Sequence, residues 1–246
     1  MFAEERRQGI LRQLLHDGRV EVVGLAARYG VSEHTIRRDL GVLENQGFAQ
    51  KTHGGAVTLS TAELPFSTRR ETLTATKGRI GALGASLIGL GQTLMLEAGS
   101  TTYALARALT VRPLSIITNS LDVACLFDED PEVALILLGG RWHPHERAFR
   151  SVSASELTPP YRADWAILGA CALHPKTGVS VVSEDDAYFK RGLMRSSLKT
   201  MVLADSSKRD QVASFGVAPV ADIDVIVTDT RWPELEAEGI QVLYPE

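Results

Sequence analysis

Residues 32–56 read SEHTIRRDLGVLENQGFAQKTHGGA, and this stretch decides the reading of the first part of the chain. Ser32 is a helix N-cap candidate, because its hydroxyl can accept from the free N–H groups of the first turn. Ile36, Leu40 and Leu43 recur at helical spacing and form one apolar stripe. At about 100° per residue, His34, Arg38, Gly41 and Asn45 point the other way, with Thr35 and Arg37 on the flanks. A helix with a dry back and an Arg-bearing front suits the major groove of DNA. An ordinary amphipathic surface helix shows the same pattern, so the neighbouring sequence has to decide between the two.

Upstream, Ile10, Leu11, Leu14 and Leu15 give an apolar face to a helix over residues 4–17, which Asp17-Gly18 ends. Val22, Val23, Leu25 and Ala26 begin a second short helix that stops at Tyr29-Gly30, and Val31 leads into Ser32. Short helices joined by a tight Gly-containing turn form a helix-turn-helix, with the second helix as reader. Gly47 ends the reading helix, Phe48–Thr52 is a candidate strand, and His53-Gly54-Gly55-Ala56-Val57 turns into a return strand. This flap is a wing, with Lys51 and His53 placed to meet phosphates, which set register without carrying sequence information. The DNA-binding candidates are therefore Ser32, His34, Thr35, Arg37, Arg38, Lys51 and His53.

Residues 4–57 resemble the DNA-binding head of the DeoR family of bacterial transcription regulators. The resemblance rests on Ser32, the run Thr35-Ile36-Arg37-Arg38-Asp39-Leu40, Leu43-Glu44, Gly47 and the His53-Gly54-Gly55-Ala56 that closes the wing.

The chain of 246 residues is 44% hydrophobic and 23% charged, an ordinary globular composition, and no apolar run approaches a membrane span. Met1-Phe2-Ala3 leads straight into charged residues, so no signal peptide is expected and the expected compartment is the cytoplasm. Cys125 and Cys171 fit no metal or redox spacing and are expected as small buried side chains rather than a disulfide. A net charge of −4 argues against a generally basic nucleic-acid coat. Residues 1–57 hold eight Lys and Arg against seven Asp and Glu, so the head can bind DNA only by gathering its cations on one face. Arg37, Arg38 and Lys51 are candidates, with Arg6, Arg7 or Arg28 in addition. Glu33, Asp39 and Glu44 are expected to limit non-specific affinity.

Residues 58–76 carry Ser, Thr, Glu and one Pro with weak periodicity and read as a linker. Over 77–246 short apolar runs alternate with helical patterns. The candidate strands are 93–97, 114–118, 133–138, 165–168, 201–204, 224–228 and 240–244, and the candidate helices are 80–88, 103–109, 123–127, 185–198 and 233–238. Short runs buried on both faces imply an open, mostly parallel α/β sheet of about 170 residues, large enough for its own core. The expected fold class is thus α/β: a winged helix-turn-helix domain at 1–57, the linker, and the sheet domain.

The strands exit into small or polar residues: Glu97-Ala98-Gly99-Ser100-Thr101-Thr102, Asn119-Ser120, Gly139-Gly140, Gly169-Ala170, and Asp205-Ser206-Ser207-Lys208. Ligands of parallel α/β sheets bind at the carboxyl ends of the strands. The Gly-Ser-Thr-Thr turn opens a helix, and its free N–H groups and hydroxyls make an anion site to which Lys208 can add a cation. An anionic, hydroxyl-rich ligand such as a sugar phosphate fits. Each such loop taken alone is ordinary capping chemistry, and it is their convergence on one edge that makes a pocket.

The resemblance extends here. The DeoR effector domain is similar to ribose-phosphate isomerases, and its segments look present at the loops above and at Gly178, the helix start Glu184…Lys190, Asp222-Ile223-Asp224 and Thr228-Asp229. It implies phosphorylated sugars or related metabolites at Glu97, Gly99, Ser100, Thr101, Thr102, Asn119, Ser120, Gly139, Gly140, Gly169, Glu184, Lys190, Asp205 and Lys208. Two departures stand out. Val152 is followed by Ser153 where the family shows Val-Gly, and the ring- and charge-rich Arg141–Arg147 has no family match and could cover the pocket. His143 and His145 lack a third ligand nearby, so no metal is expected, nor any cofactor.

The residues together point to a regulator whose operator affinity is set by a metabolite, and the family resemblance implies a repressor. Paired half-sites imply a homodimer or homotetramer. The rival is an aldose–ketose isomerase using Glu184, Asp205 or Lys208 as acid–base groups, with a vestigial pocket as a third reading. An isomerase has no use for a reading helix, so no catalytic residue is expected.

Overall fold

The computed structural model describes residues 3–45, 48–58, 64–150 and 161–245. The chain forms two compact units, Met1–Leu64 and Pro65–Glu246.

In the first unit, α1 (Ala3–Asp17), α2 (Val22–Tyr29) and α3 (Glu33–Asn45) pack around Ile10, Leu14, Leu25, Ile36, Leu40 and Leu43, all essentially without exposure. The predicted stripe of α3 is thus its buried face. Gly30 ends α2 in the left-handed conformation (φ 63°), which costs glycine nothing and gives the tight turn between the helices. The wing has a third strand that the sequence reading missed. Strand β1 (Arg19–Glu21) pairs with β3 (Gly55–Thr58), which pairs with β2 (Ala49–Lys51), all antiparallel. At three residues β1 is too short to show a period. Gly47, read as the end of α3, lies outside the described residues.

The second unit is built on seven parallel strands in the order β15 (Gln241–Leu243), β14 (Val225–Val227), β12 (Ser197–Leu203), β9 (Ala163–Gly169), β4 (Thr93–Leu96), β5 (Leu114–Thr118) and β6 (Val133–Leu137). These seven are the strands expected from sequence; 114–118 matches at both ends, and elsewhere the ends differ by at most four residues. Side chains alternate between two cores. Leu94, Leu96, Met201 and Leu203 face one cluster with Ile80 and Leu105, while Met95 and Val202 face the other with Phe189, Leu193 and Trp232. Burial on both faces is why these runs read as continuous apolar segments. The first cluster is covered by α5 (Thr74–Ala85) and α6 (Ser100–Ala108), the second by α8 (Glu184–Arg195).

The segment read as a linker holds α4 (Phe66–Glu71) and the start of α5 over most of residues 65–76, and Phe66 is buried edge-on against Tyr103 at 6.0 Å. A six-residue helix with one anchoring ring shows no apolar period. Residues 59–63 of that segment lie outside the described residues. The helix read over 185–198 stops at Arg195, because from Ser197 the backbone pairs with β9. Cys125 is exposed and Cys171 half-buried, both as free thiols, since Cys125 follows the one-turn helix α7 (Leu121–Ala124) at the surface.

Two small sheets were not foreseen. Strands β10 (Ala172–His174), β11 (Gly178–Val181) and β13 (Phe215–Ala218) form an antiparallel sheet, and β7 (Arg141–His143) and β8 (Ala148–Arg150) form a hairpin from the unmatched ring-rich segment. The Val152-Ser153 step lies outside the described residues.

Candidate functional site

In the head, Ser32 caps α3 as expected: its Oγ accepts from the Thr35 amide at 3.2 Å and lies 3.0 Å from the Thr35 hydroxyl. His34, Arg37 and Arg38 are exposed along the face opposite the core. Arg37 is held by Glu33 at 2.8 Å, one helical turn earlier. Lys51 and His53 are exposed in the wing. Glu44 binds both the Lys51 ammonium and its backbone amide at 2.9 Å, fixing the wing to the reading helix. Two sequence expectations change. Asp39, expected to limit non-specific affinity, is buried and accepts from Arg6 at 2.6 Å, with Arg7 at 3.7 Å. Arg6, buried in that pair, is therefore removed from the cations available to phosphates.

In the second unit, β4 connects to β5 on one side, while β9 connects to β12 on the other. The sheet therefore changes winding direction between β4 and β9, the point at whose carboxyl ends parallel α/β sheets place their ligands. Glu97 and Gly169 sit at those two ends. The buried Glu97 carboxylate accepts from the Gly169 amide at 2.9 Å and meets the Lys190 ammonium, which also donates to the Gly169 carbonyl at 2.9 Å. Burial alone would depress Lys190, but Asp186 and Glu97 outweigh it and hold its pKa above the ordinary lysine value. Asp186 lies 3.9 Å from Lys190 and 3.4 Å from Arg150, and Arg150 also pairs with Glu146 and donates to the Ser183 hydroxyl at 3.3 Å.

Around this core the turn after β4 begins α6. Ser100, Thr101 and Thr102 are buried, and Thr102 uses its hydroxyl to hold the Glu97 and Gly99 carbonyls at 2.7 and 2.8 Å. The Asn119 side chain accepts from the Ala98 amide at 2.9 Å and donates to the Phe149 carbonyl at 3.2 Å, joining this turn to β8. Ser120 caps α7.

A second group of charges consists of Asp205, Lys208, Lys77 and Arg69. Burial pushes the Lys77 ammonium down to about 8, opposed by Asp205 and aided by Lys208 and Arg69. Burial also depresses Lys208 against the pull of Asp205. Asp205 is held below the usual carboxylate range because Lys208 and Lys77 outweigh its burial. Burial pushes the Cys171 thiol up, with Lys190 and Lys208 opposing and Asp186 and Glu97 adding to the rise. Lys77 and Ser100 also line a 260 Å³ groove with Arg70, Tyr103 and Arg107.

Of the residues read from sequence, Glu97, Ser100–Thr102, Asn119, Ser120, Gly169, Lys190, Asp205 and Lys208 thus meet at one edge. Glu184, Gly139 and Gly140 are exposed, and the acidic residue of the network is Asp186 instead. Its spacing of four from Lys190 was a usable signal. Lys77, Arg69 and Arg150 carried none, because their elements are not legible locally. Among the described residues no group of three or more His, Cys, Asp and Glu could hold a metal, and no helix is long and apolar enough to cross a membrane.

A winged helix-turn-helix with an Arg-bearing reading helix, on one chain with a parallel sheet whose carboxyl edge gathers charge, defines a ligand-responsive DNA-binding protein. Family models agree: residues 6–62 match the DeoR-like helix-turn-helix domain, and residues 73–230 match the DeoR C terminal sensor domain. The chain belongs to the DeoR family of transcription regulators. It is 31% identical to the HTH-type transcriptional repressor GlcR of Bacillus subtilis (strain 168), over 100% of this chain and 98% of the relative. It is 32% identical to the putative aga operon transcriptional repressor of Escherichia coli O157:H7, over 96% and 90%. It is 29% identical to the glycerol-3-phosphate regulon repressor of Escherichia coli (strain K12), over 95% and 93%. Among solved structures, ribose 5-phosphate isomerase A from Methanocaldococcus jannaschii aligns at 18% identity over 54% of this chain and 53% of its own, with a TM-score of 0.38. The Pyrococcus horikoshii OT3 translation initiation factor eIF-2B aligns at 16% over 63% and 62%, with a TM-score of 0.44.

Proposed function

We propose that the protein is a cytoplasmic repressor of carbohydrate genes. In this reading a homodimer or homotetramer places α3 of paired heads in the major groove of operator half-sites, and a phosphate monoester of a sugar or polyol at the carboxyl edge of the sheet releases it. The observation that supports the ligand class is the groove in which Arg70, Lys77 and Arg107 meet Ser100 at the start of α6. A dianionic phosphate there would meet these cations and the free N–H groups of the helix start. The relatives support the direction of control, since three carry the word repressor in their names and one is named for a glycerol phosphate regulon. Their names as regulators also support a binding rather than a catalytic role for the edge.

Control requires the ligand to bind the free and DNA-competent states unequally, by about 1–3 kcal/mol for a modest switch. The test is a thermal-shift screen of phosphorylated sugars and polyols against their unphosphorylated parents, followed by operator-binding titrations with any hit. A rise with the ester, no rise with its parent and weakened operator binding is the expected result. Equal shifts with ester and parent would remove phosphate from the reading.

A further inference from the structure

Lys51 belongs to the wing, and its place beside His53 in the sequence reads as a phosphate contact. Its ammonium is held elsewhere. A Cβ added at Gly41 of α3 would stand 3.4 Å from the Lys51 Nζ, so the ammonium lies where a side chain at position 41 would go. Arg38, Gly41 and Asn45 follow one another along the outer face of α3, at i, i+3 and i+7. Gly41 adds nothing to that face, and a glycine inside a helix weakens it relative to alanine. The Lys51 ammonium fills the gap. Glu44 sets it there: one carboxylate oxygen meets the ammonium at 2.9 Å, and the other accepts from the Lys51 backbone amide at 2.9 Å. These bonds keep the Glu44 carboxyl below its ordinary value, so the pair is ionised at neutral pH. An exposed ion pair alone is a weak restraint, but the same carboxylate also fixes the strand that carries the lysine. The Lys51 side chain remains 43% exposed. An ammonium has three N–H donors, and with one directed at Glu44 two remain for a ligand.

We infer that Lys51 acts as a base-reading side chain of α3, lent by the wing and seated at Gly41 by Glu44, with a guanine as its target. This rests on the reading above in which α3 enters the major groove. A helix in that groove turns its outer face to the base edges, while contacts beside it go to phosphates. A lysine ammonium on the outer face pairs with the O6 and N7 acceptors of guanine, which matches the two donors that Glu44 leaves. The ammonium enters the groove already neutralised, so the pair brings sequence preference with little attraction to DNA in general. Glu44 is thereby a positioning residue: it touches no base, and its effect passes through Lys51.

The test begins with selection of duplexes from a randomised library by the full chain. Fluorescence anisotropy then follows binding to the enriched duplex and to a scrambled duplex of the same length over a range of salt. The wild type is compared with Glu44→Gln, which keeps an acceptor for the Lys51 amide, and with the double variant Glu44→Gln, Lys51→Met. The double variant leaves the net charge of the head unchanged, and circular dichroism checks both folds. The expected result is an enriched duplex with guanine at a fixed position of each half-site. The double variant binds it about five- to hundredfold more weakly and no longer enriches that guanine. Its affinity for the scrambled duplex and its salt slope match the wild type. Glu44→Gln alone frees the cation, so it binds the scrambled duplex more tightly and prefers the enriched one less. A double variant that weakens both duplexes alike, with the salt slope lowered by about one, would put Lys51 on a phosphate and overturn the inference. So would a double variant that still selects the wild-type sequence, or a Glu44→Gln that keeps the full preference. A wild type that enriches no sequence would overturn the operator reading itself and the inference with it.

Discussion

Lys190 and Glu97 form a buried ion pair that ties the second turn of α8 to the carboxyl end of β4, and the two hold the backbone N–H and C=O of Gly169 of β9, Glu97 accepting and Lys190 donating. Three elements are thereby fixed at the point where the sheet reverses its winding. The pair is a structural clamp at the carboxyl edge of the sheet.

Removing one partner leaves the other charge buried. Glu97→Leu is expected to destabilise the sheet unit by about 3–5 kcal/mol, and Lys190→Met by a similar amount. The double variant should recover most of the loss, since apolar groups of similar size replace the whole pair. Urea unfolding followed by tryptophan fluorescence reports this unit alone, because Trp142, Trp165 and Trp232 all belong to it. Additive losses in the double variant would show that the two charges do not depend on one another.

Arg38 and Asp39 are sequence neighbours with opposite expected effects. Asp39→Ala strands the buried Arg6 and should unfold or loosen the head at a cost of about 3–5 kcal/mol, seen as lost helicity with an unchanged tryptophan transition. Arg38→Ala should leave both transitions alone and weaken operator binding by about 1–3 kcal/mol. Unchanged operator affinity in Arg38→Ala would remove it from the reading face.

The contrast shows what was readable in the sequence. The stripe Ile36, Leu40, Leu43 fixed the orientation of α3, and the seven apolar runs marked the seven parallel strands, because both signals come from burial repeated along one element. Asp39, Lys77 and Arg150 were not legible, since a charge is buried only when a partner distant in sequence meets it: Arg6 lies 33 residues from Asp39, and Ser183 lies 33 residues from Arg150. The short strands of the wing and of the β7–β8 hairpin failed for a different reason. At three residues, strand pairing rather than local pattern sets their conformation.

Gly55 explains why the wing turn carries a second glycine. A Cβ there would lie 1.9 Å from the Val20 carbonyl oxygen, backbone that cannot yield without breaking the β1–β3 ladder. Gly55→Ala should cost the head about 1–3 kcal/mol or more and speed hydrogen exchange at the Val22 amide, which donates to Gly54. Gly54→Ala, with nothing within 4 Å of the added methyl, is the control and should change little. Equal effects from the two variants would mean that the approach to Val20 is not what restricts position 55.

Lys77 gives the pH dependence. Its ammonium, donating to the Arg69 and Thr72 carbonyls at 2.5 and 2.9 Å, titrates near 8 in the fold but near 10.4 in an unfolded chain. Between those values the unfolded chain holds a proton that the fold has released, so the contribution of Lys77 to stability rises with pH, by up to about 1.4 kcal/mol per unit. That contribution is complete above the unfolded value and is lost as the pH falls through about 8. The stability of the wild type relative to Lys77→Met should therefore improve from pH 8 to pH 10; a flat difference would place the Lys77 pKa near its ordinary value. A phosphate monoester beside Lys77 favours the ammonium, so binding should take up a proton near pH 8 and weaken at higher pH. Calorimetry in buffers of different ionisation enthalpy measures that uptake, and its disappearance in Lys77→Met would assign it to this side chain.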